Sequence, residues 1–98
     1  MIKGVSEAEE SIVKSILEPY SATYTFYFYG SRVKGKYSKV SDLDILIKGD
    51  AEMPLSDVEY LKQQFDASSL PYIVNFCDYH KIDTLFYKRI EKDLVEVF

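Results

Sequence analysis

Two short apolar runs, separated by a dozen residues with no apolar pattern at all, restrict what this chain can fold into more than any other feature. Tyr24-Thr25-Phe26-Tyr27-Phe28-Tyr29 is aromatic and β-branched throughout and stops at Gly30; residues 42–47, Asp-Leu-Asp-Ile-Leu-Ile, lead to Gly49-Asp50. Runs this short and this apolar are strands buried on both faces rather than helices. Between them, residues 30–41 carry Gly30 and Gly35, Ser31, Ser38 and Ser41, and the cations Arg32, Lys34, Lys36 and Lys39. That composition reads as a loop with room for one helical turn. A connection of this length inside a compact domain is more often functional than idle.

The flanking segments supply helices. Ser6 followed by Glu9 is a capping-box pair, and Ile12, Val13, Ile16 and Leu17 mark one face of a helix over residues 6–18 that Pro19 ends. Beyond Pro54, Ser56 is expected to cap a helix carrying Val58, Leu61 and Phe65 at helical spacing. Pro71 opens a third strand over residues 72–77, and Ile82, Leu85, Phe86 and Ile90 line one side of a last helix over 81–93, with 94–98 ambiguous. The order helix, strand, loop, strand, helix, strand, helix predicts an α/β (α+β) fold, a small mixed sheet flanked by helices. With 98 residues, the chain is one domain, 1–98, with one core. A core so small, and so rich in aromatic residues, leaves room for a homodimer or a hetero-complex.

Charge and length exclude several classes of function. A net charge of −4 argues against extended nucleic-acid binding, so any phosphate must be held locally. No apolar window approaches a membrane span, and Met1-Ile2-Lys3-Gly4-Val5-Ser6-Glu7 lacks the pattern of a secretory leader. The single Cys77 cannot form an internal disulfide, and the expected setting is cytoplasmic.

Asp42 and Asp44 carry the strongest chemical signal. Residues two apart on a strand point to one face about 7 Å apart, so their carboxylates converge, repel, and favour a cation between them. Hard oxygen donors on a strand suit Mg²⁺ or Mn²⁺, which keep open positions for substrate phosphates. Taken alone, the pair also fits a turn cap and a solvated strand edge. Gly30-Ser31, where a buried strand ends, lets a phosphate approach the backbone, with N–H groups and the Ser31 hydroxyl as donors. Arg32 offers a planar fork to phosphate or an ion pair to Asp44, and most of the nearby lysines read as solvated.

Gly30-Ser31-Arg32-Val33-Lys34-Gly35 followed by Ser41-Asp42-Leu43-Asp44-Ile45-Leu46 resembles the signature of the DNA polymerase beta nucleotidyltransferase superfamily, and the short length resembles its minimal nucleotidyltransferase branch. The resemblance implies that Gly30 and Ser31, with Arg32 and Ser41, hold the phosphates of ATP or another nucleoside triphosphate. It also implies that Asp42 and Asp44 are catalytic metal ligands. A hydroxyl would then attack the α-phosphorus and pyrophosphate would leave, with two divalent ions stabilising the attacking and departing oxygens. In that branch the next strand supplies a third acid within L-P-x-x-V-D-x-x-D. Here the stretch reads Leu70-Pro71-Tyr72-Ile73-Val74-Asn75-Phe76-Cys77-Asp78, so Asn75 takes the catalytic position. An amide offers one oxygen to a cation, but it has no negative charge and is no general base.

Two functions follow from the resemblance. One is AMP transfer to a hydroxyl of a HEPN-domain toxin, with this chain as antitoxin. The other is a catalytically impaired nucleotide-binding module that restrains the same partner by contact alone. Modification of a small molecule is a third and weaker reading, because no substrate domain is present. Of the remaining residues, Asp78 is expected to cap the last helix, His80 to lie at the surface, and Cys77 to be a small buried side chain.

Overall fold

A computed structural model describes residues 2–98. In chain order it contains α1 (Glu7–Leu17), a 3-10 turn (Glu18–Tyr20), β1 (Tyr24–Tyr29), α2 (Ser31–Lys34), β2 (Leu43–Gly49), α3 (Leu55–Asp66), β3 (Val74–Asp78), α4 (Thr84–Glu91) and β4 (Val95–Glu96). The strands form one mixed sheet in the order β3-β2-β1-β4. β1 runs antiparallel to β2 and β4, and β2 runs parallel to β3. The α/β (α+β) architecture expected from the sequence is therefore present.

Strand periodicity divides the sheet into two faces. Phe26 and Phe28 of β1 and Leu43, Ile45 and Ile47 of β2 join Val13 and Leu17 of α1 and Leu61 and Phe65 of α3 in one buried cluster. The opposite face is covered by α4: Phe86 meets the Tyr29 ring edge-on at 6.2 Å, and Lys48 Nζ donates to the Tyr87 hydroxyl at 3.3 Å. Covering both faces explains why β1 and β2 are apolar almost without interruption. Among the described residues no helix is long and apolar enough to cross a membrane.

The capping pair expected at the start of α1 forms. Ser6 Oγ accepts from Glu9 N at 3.1 Å, while Glu9 Oε1 accepts from Ser6 N at 3.0 Å, a complete capping box. Four expectations need correction. Ser56 does not cap α3; the helix starts at Leu55, and the Pro54 carbonyl accepts from Asp57 and Val58 without any side-chain cap. β3 starts at Val74 rather than residue 72, because Tyr72 turns inward against Arg32. Asp78 does not cap α4: its carboxylate accepts from Met53 N and His80 N, both at 2.9 Å, and Asp83 caps the helix instead, accepting from Phe86 N. Leu85 is 69% exposed, so the sheet-facing side of α4 is Phe86, Tyr87 and Ile90. The ambiguous tail forms β4, and Val97 N donates to the Phe26 carbonyl at 2.9 Å.

Candidate active site

The backbone ladder alone brings three segments together at one end of the sheet. Asp44 is the register partner of Tyr29 on β1 and of Asn75 on β3. Asp42 precedes β2 by one residue and shares Asp44's face. Asn75 Nδ2 donates to Asp42 Oδ2 at 2.8 Å and reaches Asp44 Oδ1 at 3.5 Å, so one nitrogen touches both acids. The convergence expected from the i, i+2 spacing is present.

The two acids differ in environment. Asp42 is exposed, whereas Asp44 is half-buried. Burial pushes the Asp44 carboxyl above its usual range; the Asn75 hydrogen bond opposes that shift, and the Asp42 charge adds to it. Behind Asp44, Tyr29 and Cys77 are neighbours. Burial raises both hydroxyl and thiol, which keeps them protonated at neutral pH.

Gly30 has φ of 85°, and a Cβ there would collide with Asp44 Oδ2. Only glycine lets β1 turn into α2 so close to the acid. The Gly30 carbonyl accepts from Val33 N and Lys34 N, both at 3.1 Å. Ser31 and Arg32 open this single turn, and first-turn N–H groups have no acceptor within a helix.

Two residues expected to face phosphate are engaged elsewhere. Arg32 is only 4% exposed; its guanidinium donates to the carbonyls of Gly4, Ser38, Lys39 and Ser41 and stacks on Tyr72, so it presents no free fork and makes no bond to Asp44. Ser41 Oγ accepts from Ser38 N at 2.9 Å and closes the turn ahead of Asp42. Lys34 pairs with Asp93 at 3.7 Å, while Lys36 and Lys39 are exposed. His80 lies at the surface, as expected, with Nε2 2.7 Å from the Gly49 carbonyl. Sequence reasoning missed Tyr29 and Tyr72. Tyr29 was legible in principle as the last residue before the glycine turn; nothing local marked Tyr72.

The donor chemistry fits a hard divalent cation. Asp42 and Asp44 could supply carboxylate oxygens, and Asn75, whose NH₂ group now faces both acids, could supply an amide oxygen with that terminal amide turned over. Among the described residues no group of three or more His, Cys, Asp and Glu side chains is placed to hold a metal.

Comparison with known proteins bears on the family and the fold. The family model for polymerase beta nucleotidyltransferases matches residues 11–98. A Haemophilus influenzae protein named "Probable protein adenylyltransferase MntA" is 36% identical over 93 residues, covering 95% of this chain and 82% of that protein. A chain in the crystal structure of a toxin-antitoxin with AMP-PNP superposes with a TM-score of 0.74 at 20% identity, over 91% of this chain and 72% of that one. A chain from the complex of a tri-AMPylated Shewanella oneidensis HEPN toxin with its MNT antitoxin gives a TM-score of 0.67 at 19% identity, over 91% and 68%. The two superpositions concern the fold, whereas the family match and the Haemophilus relative reach the sequence itself; by these the chain belongs to the polymerase beta nucleotidyltransferase family.

Proposed function

We propose that this chain transfers AMP from ATP to a hydroxyl on a HEPN-domain protein, as the antitoxin of a toxin-antitoxin pair. The observation that carries the reading is the meeting of Asp42 and Asp44 on a single nitrogen, 2.8 and 3.5 Å away, beside the Gly30 turn. In this reading Gly30 and Ser31 hold the triphosphate. Asp42 and Asp44, with the Asn75 amide oxygen, hold Mg²⁺, which when bound neutralises phosphate charge. The protein's contribution is alignment of hydroxyl and phosphorus and a preorganised polar surround. The name of the Haemophilus relative and the AMPylated toxin in a structural neighbour support the choice of AMP and of the partner class.

Asn75 favours one other reading. It removes the third carboxylate, and its NH₂ group already satisfies both acids, as suits a module that restrains its partner by contact alone. Intact mass spectrometry after incubating the co-purified partner with this chain, ATP and Mg²⁺ separates the two. Partner mass rising by whole AMP units is expected; inhibition of the partner with no mass change sinks the transfer reading.

A further inference from the structure

Arg32 is the buried charged side chain of residues 30–41, the transfer chemistry leaves it without a task, and its surroundings are unusually complete. It is 4% exposed. Its Nη1 donates to the Gly4 carbonyl at 2.6 Å, its Nε to Ser41 at 2.9 Å, and its Nη2 to Lys39 at 3.1 Å and Ser38 at 3.3 Å. The guanidinium carbon lies 3.8 Å from the Tyr72 ring centroid and 5.1 Å from that of Tyr37. Each ring is pinned in turn: the Tyr72 hydroxyl donates to Glu9 at 3.1 Å, and the Tyr37 hydroxyl to the Lys3 carbonyl at 2.9 Å. Gly4 N returns a bond to the Arg32 carbonyl at 3.1 Å, and a Cβ on Gly4 would collide with the arginine side chain.

Every bond that the guanidinium donates ends on a backbone carbonyl, and two aromatic faces complete the shell. Burying a cation this way is costly, and carbonyl bonds and ring faces offset that cost only if the group is flat and multiply donating. Arginine meets the requirement; lysine, with three donors on a tetrahedral head, does not. What the shell joins is specific. Ser38, Lys39 and Ser41 lead directly into Asp42, and Tyr72 lies three residues before Asn75. One side chain therefore holds the approaches to both strands that meet at the acid pair.

We propose that Arg32 is a positioning residue: it anchors residues 38–41 and Tyr72 from behind and thereby sets the spacing of Asp42, Asp44 and Asn75. This rests on the reading that the acid pair is the cation site. The test compares Arg32→Gln, Arg32→Lys and a remote core truncation, Val13→Ala, in the full chain. Three quantities are measured: thermal midpoint, Mn²⁺ affinity from the electron paramagnetic resonance of the free ion, and amide exchange by segment. Arg32→Gln should keep β1 protected, speed exchange across residues 38–42, and weaken Mn²⁺ binding by roughly 10- to 100-fold, the usual scale for residues that orient ligands. Arg32→Lys should recover part of that loss, and Val13→Ala should lower the midpoint with Mn²⁺ affinity intact. Equal loss of affinity in Val13→Ala, or unchanged exchange and affinity in Arg32→Gln, overturns the proposal. Should Arg32→Gln fail to fold, Tyr72→Leu, which removes the stacking face and the hydroxyl bond to Glu9 but leaves the carbonyl partners of Arg32 in place, is expected to give the same pattern more weakly, and no change there overturns it equally. A parent chain that binds Mn²⁺ but adds no AMP to its partner sinks the transfer reading and leaves this one standing; a parent that binds no Mn²⁺ sinks both.

Discussion

At Asn75 a single atom exchange separates an amide from the carboxylate that the family resemblance implies. Asn75→Asp would place a third carboxylate beside Asp42 and Asp44, with like charges converging where a donor now sits. Two results are expected. The thermal midpoint without divalent ions falls and is restored by Mg²⁺, and single-turnover AMP transfer rises by on the order of 10²- to 10⁴-fold, the usual worth of a general base. A midpoint insensitive to Mg²⁺ together with an unchanged rate would count against the assigned position. Asp44 makes a second, pH-dependent case. Burial, its principal cause, raises this carboxyl above the ordinary value of 3.8, so the folded state holds the proton more tightly than the unfolded one. The neutral group's contribution is fully present below the unfolded value and is lost as pH rises through the folded one. Asp44→Asn, melted without divalent ions, should therefore gain on the parent as pH climbs through that window and keep a constant lead above it. A difference independent of pH would refute the assignment.

Among the elements, α2 is a single turn bounded by two glycines of positive φ, Gly30 at 85° and Gly35 at 79°. Their surroundings differ. An added Cβ at Gly30 strikes Asp44, whereas at Gly35 the nearest atom is Lys3 Cδ at 3.8 Å, an ordinary contact. Alanine at either position incurs backbone strain on the order of 1–3 kcal/mol. Only Gly30→Ala should also displace Asp44. Both variants are thus expected to melt earlier, while binding of Mn²⁺ and of a non-hydrolysable ATP analogue, measured by calorimetry, is lost in Gly30→Ala and kept in Gly35→Ala. Similar binding losses in the two would show that the turn acts through stability alone.

The whole molecule has little stability to spare. A domain of this size holds about 5–15 kcal/mol of net stability. Leu61 is fully buried in α3 within the main core cluster, and truncating such a leucine to alanine typically costs about 2–5 kcal/mol. Each kcal/mol is worth about 4–8 °C in a domain this small. Leu61→Ala should therefore lower the thermal midpoint by more than 8 °C, while the fraction that remains folded keeps its nucleotide affinity, since α3 lies on the sheet face opposite Asp44 and Asn75. Loss of affinity at temperatures where circular dichroism shows full folding would place α3 in the site's support.

What the sequence could determine by itself was whatever depends on neighbours a few residues away. An unbroken aromatic and β-branched run made β1 readable from end to end, the Ser6–Glu9 pair announced α1, and the two-residue period put Asp42 and Asp44 on one face. Where partners lie far apart in the chain, the same reasoning had nothing to count. Arg32 finds Gly4 across 28 residues, Asp78 finds Met53 across 25, and Asn75 finds Asp42 across 33. Each is a polar group that will bond to whatever the fold places beside it, and its sequence neighbours carry no record of that choice. Tertiary structure alone therefore decided that the arginine of the loop holds carbonyls instead of phosphate, and that the acids meet an amide: strand register and packing select a distant partner, while local sterics select only a backbone shape.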